Sequence, residues 1–280
     1  MMKTQEIASV LRETSVHPTA IVHSSAELGL GVSIGPFCVI GPDVVISDGT
    51  SVDSHSVIEQ WTTVGRNCQI GCGTVLGGTP QDHKFQGERS YLIIGDNNII
   101  REYNTIHRGS GEESITRIGS DNMLMAYCHV GHNCELRDNI VMANMVGISG
   151  HVLIEDRVVF GGMVGVHQYI RIGRLAMIGG YSKVVQDIPP FMLADGRPTR
   201  VYDLNVIGLR RAGVPPRVRA GLKQAYKLLY RSNLNSTQAI EAIEAVESEV
   251  DPTEERDYLL EFMRNVKFGF GGRQLENRRQ

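Results

Sequence analysis

Aliphatic residues recur at every sixth position from Val16 to Leu76: Val16, Val22, Leu28, Ile34, Ile40, Ile46, Val52, Ile58, Val64, Ile70 and Leu76. The pattern returns at Ile94, Ile100 and Ile106, then runs from Ile118 through Leu124, Val130, Leu136, Met142, Ile148, Ile154, Phe160, Val166, Ile172 and Ile178 to Val184. A period of six matches neither the 3.6 of a helix nor the alternation of a hairpin meander. It suits short strands with a corner after each, three to a coil, and so predicts a parallel β-helix. Each coil takes about 18 residues and stacks on the next at about 4.8 Å, with the periodic residue pointing inward. The residue after it is often glycine (Gly29, Gly35, Gly41, Gly65, Gly71, Gly77), which is expected to permit the backbone conformation of the turn. The residue two before it is mostly small (Ala20, Ala26, Cys38, Thr50, Ser56, Cys68, Thr74), as a crowded corner requires. Spacing alone leaves the handedness open.

The period fails from Gly78 to Leu92 and from His107 to Arg117, two polar, glycine-containing stretches expected to be loops thrown out from the prism, where solenoids tend to place function. Pro189-Pro190 is expected to end the repeat. Beyond it, Asp203 to Gly213, Pro215 to Ser232, Thr237 to Glu249 and Thr253 to Val266 read as helices, with Ser236 as an N-cap. The expected organisation is an N-terminal segment (1–14), a β-helix (15–195) and a C-terminal α-helical domain (196–280). Between Arg197 and Arg231 nine Lys or Arg face a single acid, Asp203, which suits an acidic protein partner or phosphates.

Over the whole chain the net charge is only −3, so nothing draws it generally to nucleic acid or anionic lipid. The start, MMKTQEIASVLRET, lacks the pattern of a secretory signal, and no apolar run has membrane-spanning length. Five cysteines, an odd number in a chain of 280 residues, favour a reducing, cytoplasmic setting.

The stretch Ala126-Tyr-Cys-His-Val-Gly-His-Asn-Cys134 looks at first like a metal-ligand cluster. Cys128 and Cys134, however, share the inward corner phase of Cys38 and Cys68, whereas His129 and His132 lie at outward phases. Positions 18 apart lie one above another, so His132, Gly150 and Gln168 form a column flanked by His151 and His167. A histidine can take a proton from a hydroxyl or amine, and a glycine N–H can donate to a developing oxyanion. Those two parts suffice for acyl transfer from a thioester.

The motifs GPFCVIGP, QDHK, IHRG, SDNMLMAYCHVGHNC, GISGH, GGMVGVHQ and QDIPPF, spread from Val16 to about Arg231, resemble the UDP-N-acetylglucosamine acyltransferases that open lipid A biosynthesis. The resemblance implies a left-handed β-helix with a C-terminal helical domain, assembled as a homotrimer with sites between prisms. It implies His132 as the general base for the sugar 3-hydroxyl and Gly150 as the oxyanion donor. His129, His151, His167 and Gln168 would line the acceptor and the pantetheine arm, and Asp82 and Lys84 would hold the sugar and its phosphates. Asn205 and Arg211 match nucleotide-side positions, and Gly180 falls where acyl length is set. Acyl carrier protein would dock on the basic helices and bring the acyl chain on its phosphopantetheine, with no metal or other cofactor. Asn133 stands where the family has an acidic residue, which would suit an easier nucleophile such as the 3-amino group of a modified UDP-sugar. Pro198, Ile207 and Ala212 depart from the family's His, Glu and Arg. Two other readings of such a prism are a trimeric zinc hydrolyase of the carbonic anhydrase kind and a non-catalytic scaffold.

Overall fold

A computed structural model describes residues 13–245, 254–266 and 269–276. The N-terminal segment up to residue 12 and the helix ends expected at 246–249 and at 253 lie outside the described residues. From Ser15 onward the chain runs as short strands, most of two residues, that fall in turn on three parallel sheets. The first sheet begins with Ser15–Val16, the second with Ile21–Val22 and the third with Glu27–Leu28. Strand partners are 18 residues apart, as in Ser33↔Ser51 and Val39↔Val57. The offset widens only where a loop is inserted, as in Gln69↔Ile99 and Ile99↔Met123.

Every periodic aliphatic residue from Ile34 to Val184 is at most 3% exposed. Burying each such side chain stabilises by roughly 1.5–3 kcal/mol, which is what holds two-residue strands in place. The first coil is the exception: Val16 is 43% exposed because it has a neighbour on one side only among the described residues.

The role expected of the recurring glycines is corrected by the structure. The left-handed conformation at the corners sits three residues before the inward position, on residues such as Phe37 (φ 58°), Asn133 (φ 57°) and His151 (φ 60°). Of the six glycines named above, only Gly77 has a positive φ. The others are kept small by the neighbouring coil: a Cβ on Gly65 would lie 2.4 Å from the carbonyl oxygen of Gly95.

Both excursions leave the second sheet and re-enter the third, one between Val75–Gly78 and Tyr91–Ile94, the other between Thr105–His107 and Ile115–Ile118. They therefore project from the same edge of the prism. Ser110 Oγ donates to Asp82 Oδ2 at 3.1 Å, and Gly111 N to Glu88 Oε1 at 2.8 Å, so the second loop buttresses the first.

The sheet does not stop at the double proline. Ile188 bridges Ile172, and Met192–Gly196 pairs in parallel with Met177–Ile178 before turning into an antiparallel hairpin with Thr199–Leu204. The 195/196 division falls inside this hairpin. The helix expected from Asp203 starts only at Val206, because Asp203 and Leu204 complete the hairpin.

Helices α1 (Val206–Arg211), α2 (Pro216–Tyr230), α3 (Ser236–Ala245) and α4 (Glu254–Val266) follow. Asn235, not Ser236, caps α3: its Oδ1 accepts from Gln238 N at 3.0 Å, while Gln238 Oε1 accepts from Asn235 N at 3.0 Å. Glu155, with no exposed surface, ties α4 to the prism by accepting from Arg171 Nε (2.7 Å), Arg174 N (2.8 Å) and the Tyr258 hydroxyl.

Candidate active site

The edge that carries both loops also carries the corner Gly131-His132-Asn133, which joins the strand His129–Val130 of the second sheet to Glu135–Leu136 of the third. The apparent cysteine-histidine cluster divides here as its phases require. Cys38, Cys68, Cys128 and Cys134 are buried, and Cys72 is half-buried. Cys128 Sγ lies 3.1 Å from the Ala143 carbonyl and Cys134 Sγ 3.0 Å from that of Ser149. Burial pushes their thiols up to about 11 and about 12, far from thiolate chemistry. Among the described residues no three His, Cys, Asp or Glu side chains are placed to share a metal ion.

Asn133 Oδ1 accepts from the backbone N–H of Ser110 at 2.9 Å and lies 2.7 Å from His132 Nδ1. A backbone N–H can only donate, so that Asn133 atom is the carbonyl oxygen, and His132 Nδ1 must carry the proton that meets it. The Nε2 lone pair is thereby left free. It sits directly over Gly150, where a Cβ would be 2.7 Å from Nε2. The Gly150 N–H donates to no protein group among the described residues. The site thus pairs an imidazole of defined tautomer with an available backbone donor, and a neutral amide orients the ring.

His151 packs edge-on to His132 with ring centroids 5.1 Å apart and stacks on Tyr169 at 4.7 Å. His129 receives its support from Thr105 Oγ1, 2.8 Å from Nδ1, and from His107, whose ring lies 5.2 Å away. Burial lowers His129 to about 4 and also lowers His107 and His151, so these three rings are neutral at physiological pH. Asp82 lies close enough to His132 to interact with its charge, and both Asp82 and Lys84 act on His151. The Lys84 backbone N–H, 3.0 Å from Asp82 Oδ1, is the main cause of the lowered Asp82 carboxyl, and Ser110 and His132 add to it. His107, Ser110 and Tyr169 were not singled out from sequence. His107 was legible in the IHRG motif, whereas Ser110 sits in a loop without a phase.

Beside this corner the outer face of the second sheet forms a trough of about 330 Å³ lined by His129, Gly147, Gly165, His167 and Lys183 among others. His167 is exposed along it, and Gln168, the next residue, is exposed as well. Gly180 lies at the opposite edge of the second sheet, against the Gly162 carbonyl. Asn205 and Arg211 are not brought to the His132 cluster within one subunit. Asn205 Oδ1 caps α1 through Gly208 N, and its Nδ2 donates to the Leu175 carbonyl, both at 2.9 Å. Arg211 is exposed in the last turn of α1.

A prism of six-residue repeats that sets an oriented imidazole beside a free backbone N–H defines a hexapeptide-repeat acyltransferase. The acyl-(acyl-carrier-protein)–UDP-N-acetylglucosamine O-acyltransferase of Thermodesulfovibrio yellowstonii is 46% identical over 255 residues, 91% of this chain and 98% of the relative. The chain belongs to this O-acyltransferase family and is an acyltransferase. The relative from Syntrophobacter fumaroxidans is 43% identical over 91% of this chain and 98% of its own. The solved UDP-N-acetylglucosamine acyltransferase of Bacteroides fragilis superposes with a TM-score of 0.85 at 36% identity, covering 89% of this chain and 96% of that one. The family model described as UDP N-acetylglucosamine O-acyltransferase, domain 2, matches residues 187–270. The prism is left-handed. Family membership decides against the zinc hydrolyase and scaffold readings.

Proposed function

We propose that the protein transfers a 3-hydroxyacyl chain from acyl carrier protein to the 3-hydroxyl of UDP-N-acetylglucosamine, the first step of lipid A biosynthesis. The observation that carries this reading is the fixed His132 tautomer, with Nε2 open beside the unengaged Gly150 N–H. As the sugar oxygen attacks the thioester carbonyl, Nε2 takes its proton and the Gly150 N–H holds the oxyanion. Collapse expels the pantetheine thiolate, which recovers the proton from His132, so no metal or further cofactor is needed. Asp82 and Lys84 hold the sugar and its phosphates, while His129, His151, His167 and Gln168 line the acceptor and donor arm.

A homotrimer is supported by the corner between the first and second sheets. There Phe37, Tyr103, Tyr127, Met145, Met163 and Tyr181 form one line of side chains, all between 45% and 59% exposed. A second copy covering this ridge would bury it, and would also supply Asn205 and Arg211 to the site of its neighbour. In that arrangement Gly180 leaves the acyl channel open for a long chain, and the basic helices dock acyl carrier protein. The four buried thiols suit a cytoplasmic setting. No helix among the described residues is long and apolar enough to cross a membrane.

Asn133 gives specific support to a second acceptor. Without a carboxylate at this position His132 has less driving force against an alcohol, and a 3-amino UDP-sugar is the easier nucleophile. Mass spectrometry of products formed from a ladder of acyl carrier protein thioesters with UDP-N-acetylglucosamine and its 3-amino analogue tests both readings. O-acylated UDP-N-acetylglucosamine is the expected product, and no acylated product from either sugar would sink the proposal. Light scattering should give the mass of three chains, and Tyr127→Glu should dissociate them.

A further inference from the structure

Three consecutive carbonyls at the root of the first loop are taken up by two residues at the root of the second. Arg108 Nη1 donates to the Gly77 carbonyl at 2.9 Å, Arg108 N to that of Gly78 at 3.2 Å, and His107 Nδ1 to that of Thr79 at 2.6 Å. Beyond this root the first loop closes a turn, in which Phe85 N donates to the Asp82 carbonyl and Lys84 N to Asp82 Oδ1, both at 3.0 Å. Asp82 and Lys84 therefore belong to the same four-residue turn as Phe85. The Phe85 ring rests on the Arg108 guanidinium, whose Cζ lies 5.4 Å from the ring centroid. The same Cζ lies 5.6 Å from the centroid of Trp61, which forms the corner between Val57–Ile58 and Thr62–Val64 with φ 60°. That corner is on the prism edge from which both loops leave.

Arg108 is only 5% exposed, and it pairs with no carboxylate among the described residues. Its Nε meets no hydrogen-bond acceptor there, and Glu59 and Glu88 act on it only at longer range. A guanidinium buried in this way is costly, and an aliphatic side chain would fill the space without that cost. Stability does not account for it. A planar cation that meets a ring of the rigid corner and a ring of the loop at once does, because aromatic faces attract a cation most strongly where water is excluded.

We propose that Arg108 is a positioning residue for the acceptor: it locks Phe85 to the Trp61 corner and so holds Asp82 and Lys84 where the sugar and its phosphates bind. This rests on the reading of Asp82 and Lys84 given above. Without the clamp only a fraction of the molecules carries the turn in its binding position, and the apparent affinity for the acceptor falls by that fraction. Once the acceptor is bound the turn is in place. His132 and Gly150 are untouched, so the rate of the bound complex is kept.

Arg108→Met and Phe85→Ala, made in the full chain, test the clamp from its two sides. Phe85 is half-buried, so its variant keeps the test open should Arg108→Met fail to fold. Each should raise the KM for UDP-N-acetylglucosamine about tenfold, with kcat within threefold of wild type and the KM for the acyl carrier protein thioester unchanged. The double variant should be no worse than the worse single one, since both remove one contact. Hydrogen exchange without substrate gives a second readout: the Lys84 and Phe85 amides should exchange about tenfold faster in either variant, with residues 123–178 as in wild type. Unchanged exchange of those amides, a fall in kcat with KM unchanged, or effects that multiply in the double variant overturns the assignment. So does an unchanged UDP-sugar KM in Arg108→Met when Asp82→Ala raises it. An unchanged KM in Asp82→Ala as well, with the loop loosened in Arg108→Met, sinks the acceptor reading of the loop instead and leaves Arg108 as its clamp.

Discussion

Gly150→Ala places one methyl group against the proposed base and changes little else. The added Cβ would lie 2.7 Å from His132 Nε2 and 2.8 Å from Cε1, whereas ordinary contact begins near 3.4 Å. The ring must therefore retreat by about 0.7 Å, since Gly150 is not in the left-handed region and alanine needs no backbone change there. That retreat pulls Nδ1 away from Asn133 Oδ1, now at 2.7 Å, and tilts the Nε2 lone pair from its line. The backbone donor of Gly150 survives. A misplacement on this scale costs about 100-fold in kcat. Because only an imidazole at the surface of the prism moves, the Tm should stay within about 2 °C of wild type. Steady-state release of carrier thiol, followed with a disulfide reagent, gives kcat, and calorimetry gives Tm. A variant within threefold of the wild-type rate would refute the reasoning, because it would mean that the position of His132 does not govern the reaction.

Asn133→Asp keeps the acceptor for His132 Nδ1 and Ser110 N but adds a charge, which favours the protonated ring; the rising limb of the kcat/KM profile for the hydroxyl acceptor should move up by about one pH unit and the plateau should rise several-fold. An unchanged profile would show that Asn133 does not orient the base. His129, held neutral down to about 4 by burial, binds its proton more weakly in the folded state than in the unfolded chain. Stability should therefore be flat above pH 6.5 and fall as the pH drops from there towards 4. His129→Gln, which can still meet Thr105, should flatten that part of a Tm-against-pH curve, and parallel curves would rule out the burial argument. Tyr258→Phe leaves buried Glu155 one donor short and should cost about 1–3 kcal/mol in urea unfolding; an unchanged midpoint would show that the tie between α4 and the prism carries no stability.

The prism was legible because its physics is one-dimensional: a single inward phase, repeated, decides burial from Ile34 to Val184. The same phase sorted Cys128 and Cys134 inward and His129 and His132 outward, and it put His132 over Gly150. What the period could not supply was anything set by side-chain hydrogen bonds across inserted loops. The partnership of Asn133 with Ser110 depends on how the 108–114 excursion folds back, and no register predicts it. The recurring glycines suggest a conformational role from sequence, whereas they answer to the crowding of the next coil, a contact between residues about 19 or 30 apart, as in Gly35 with Ser54 and Gly65 with Gly95. The hairpin of Met192–Gly196 with Thr199–Leu204 was missed because two prolines look like an ending, whereas here the chain crosses them and rejoins the first sheet. No period reaches Asn205 either: its Oδ1 caps α1 while its Nδ2 donates to the Leu175 carbonyl, contacts set by how the chain folds after the prism.

The account stands or falls on His132 as the group that takes the proton. Its most direct test is kcat/KM for His132→Ala, measured with a 3-hydroxyacyl carrier protein thioester and UDP-N-acetylglucosamine on protein whose Tm and oligomeric mass match wild type. The account predicts a loss of about 10³–10⁴-fold. A folded His132→Ala variant that retains activity within tenfold of wild type would contradict it.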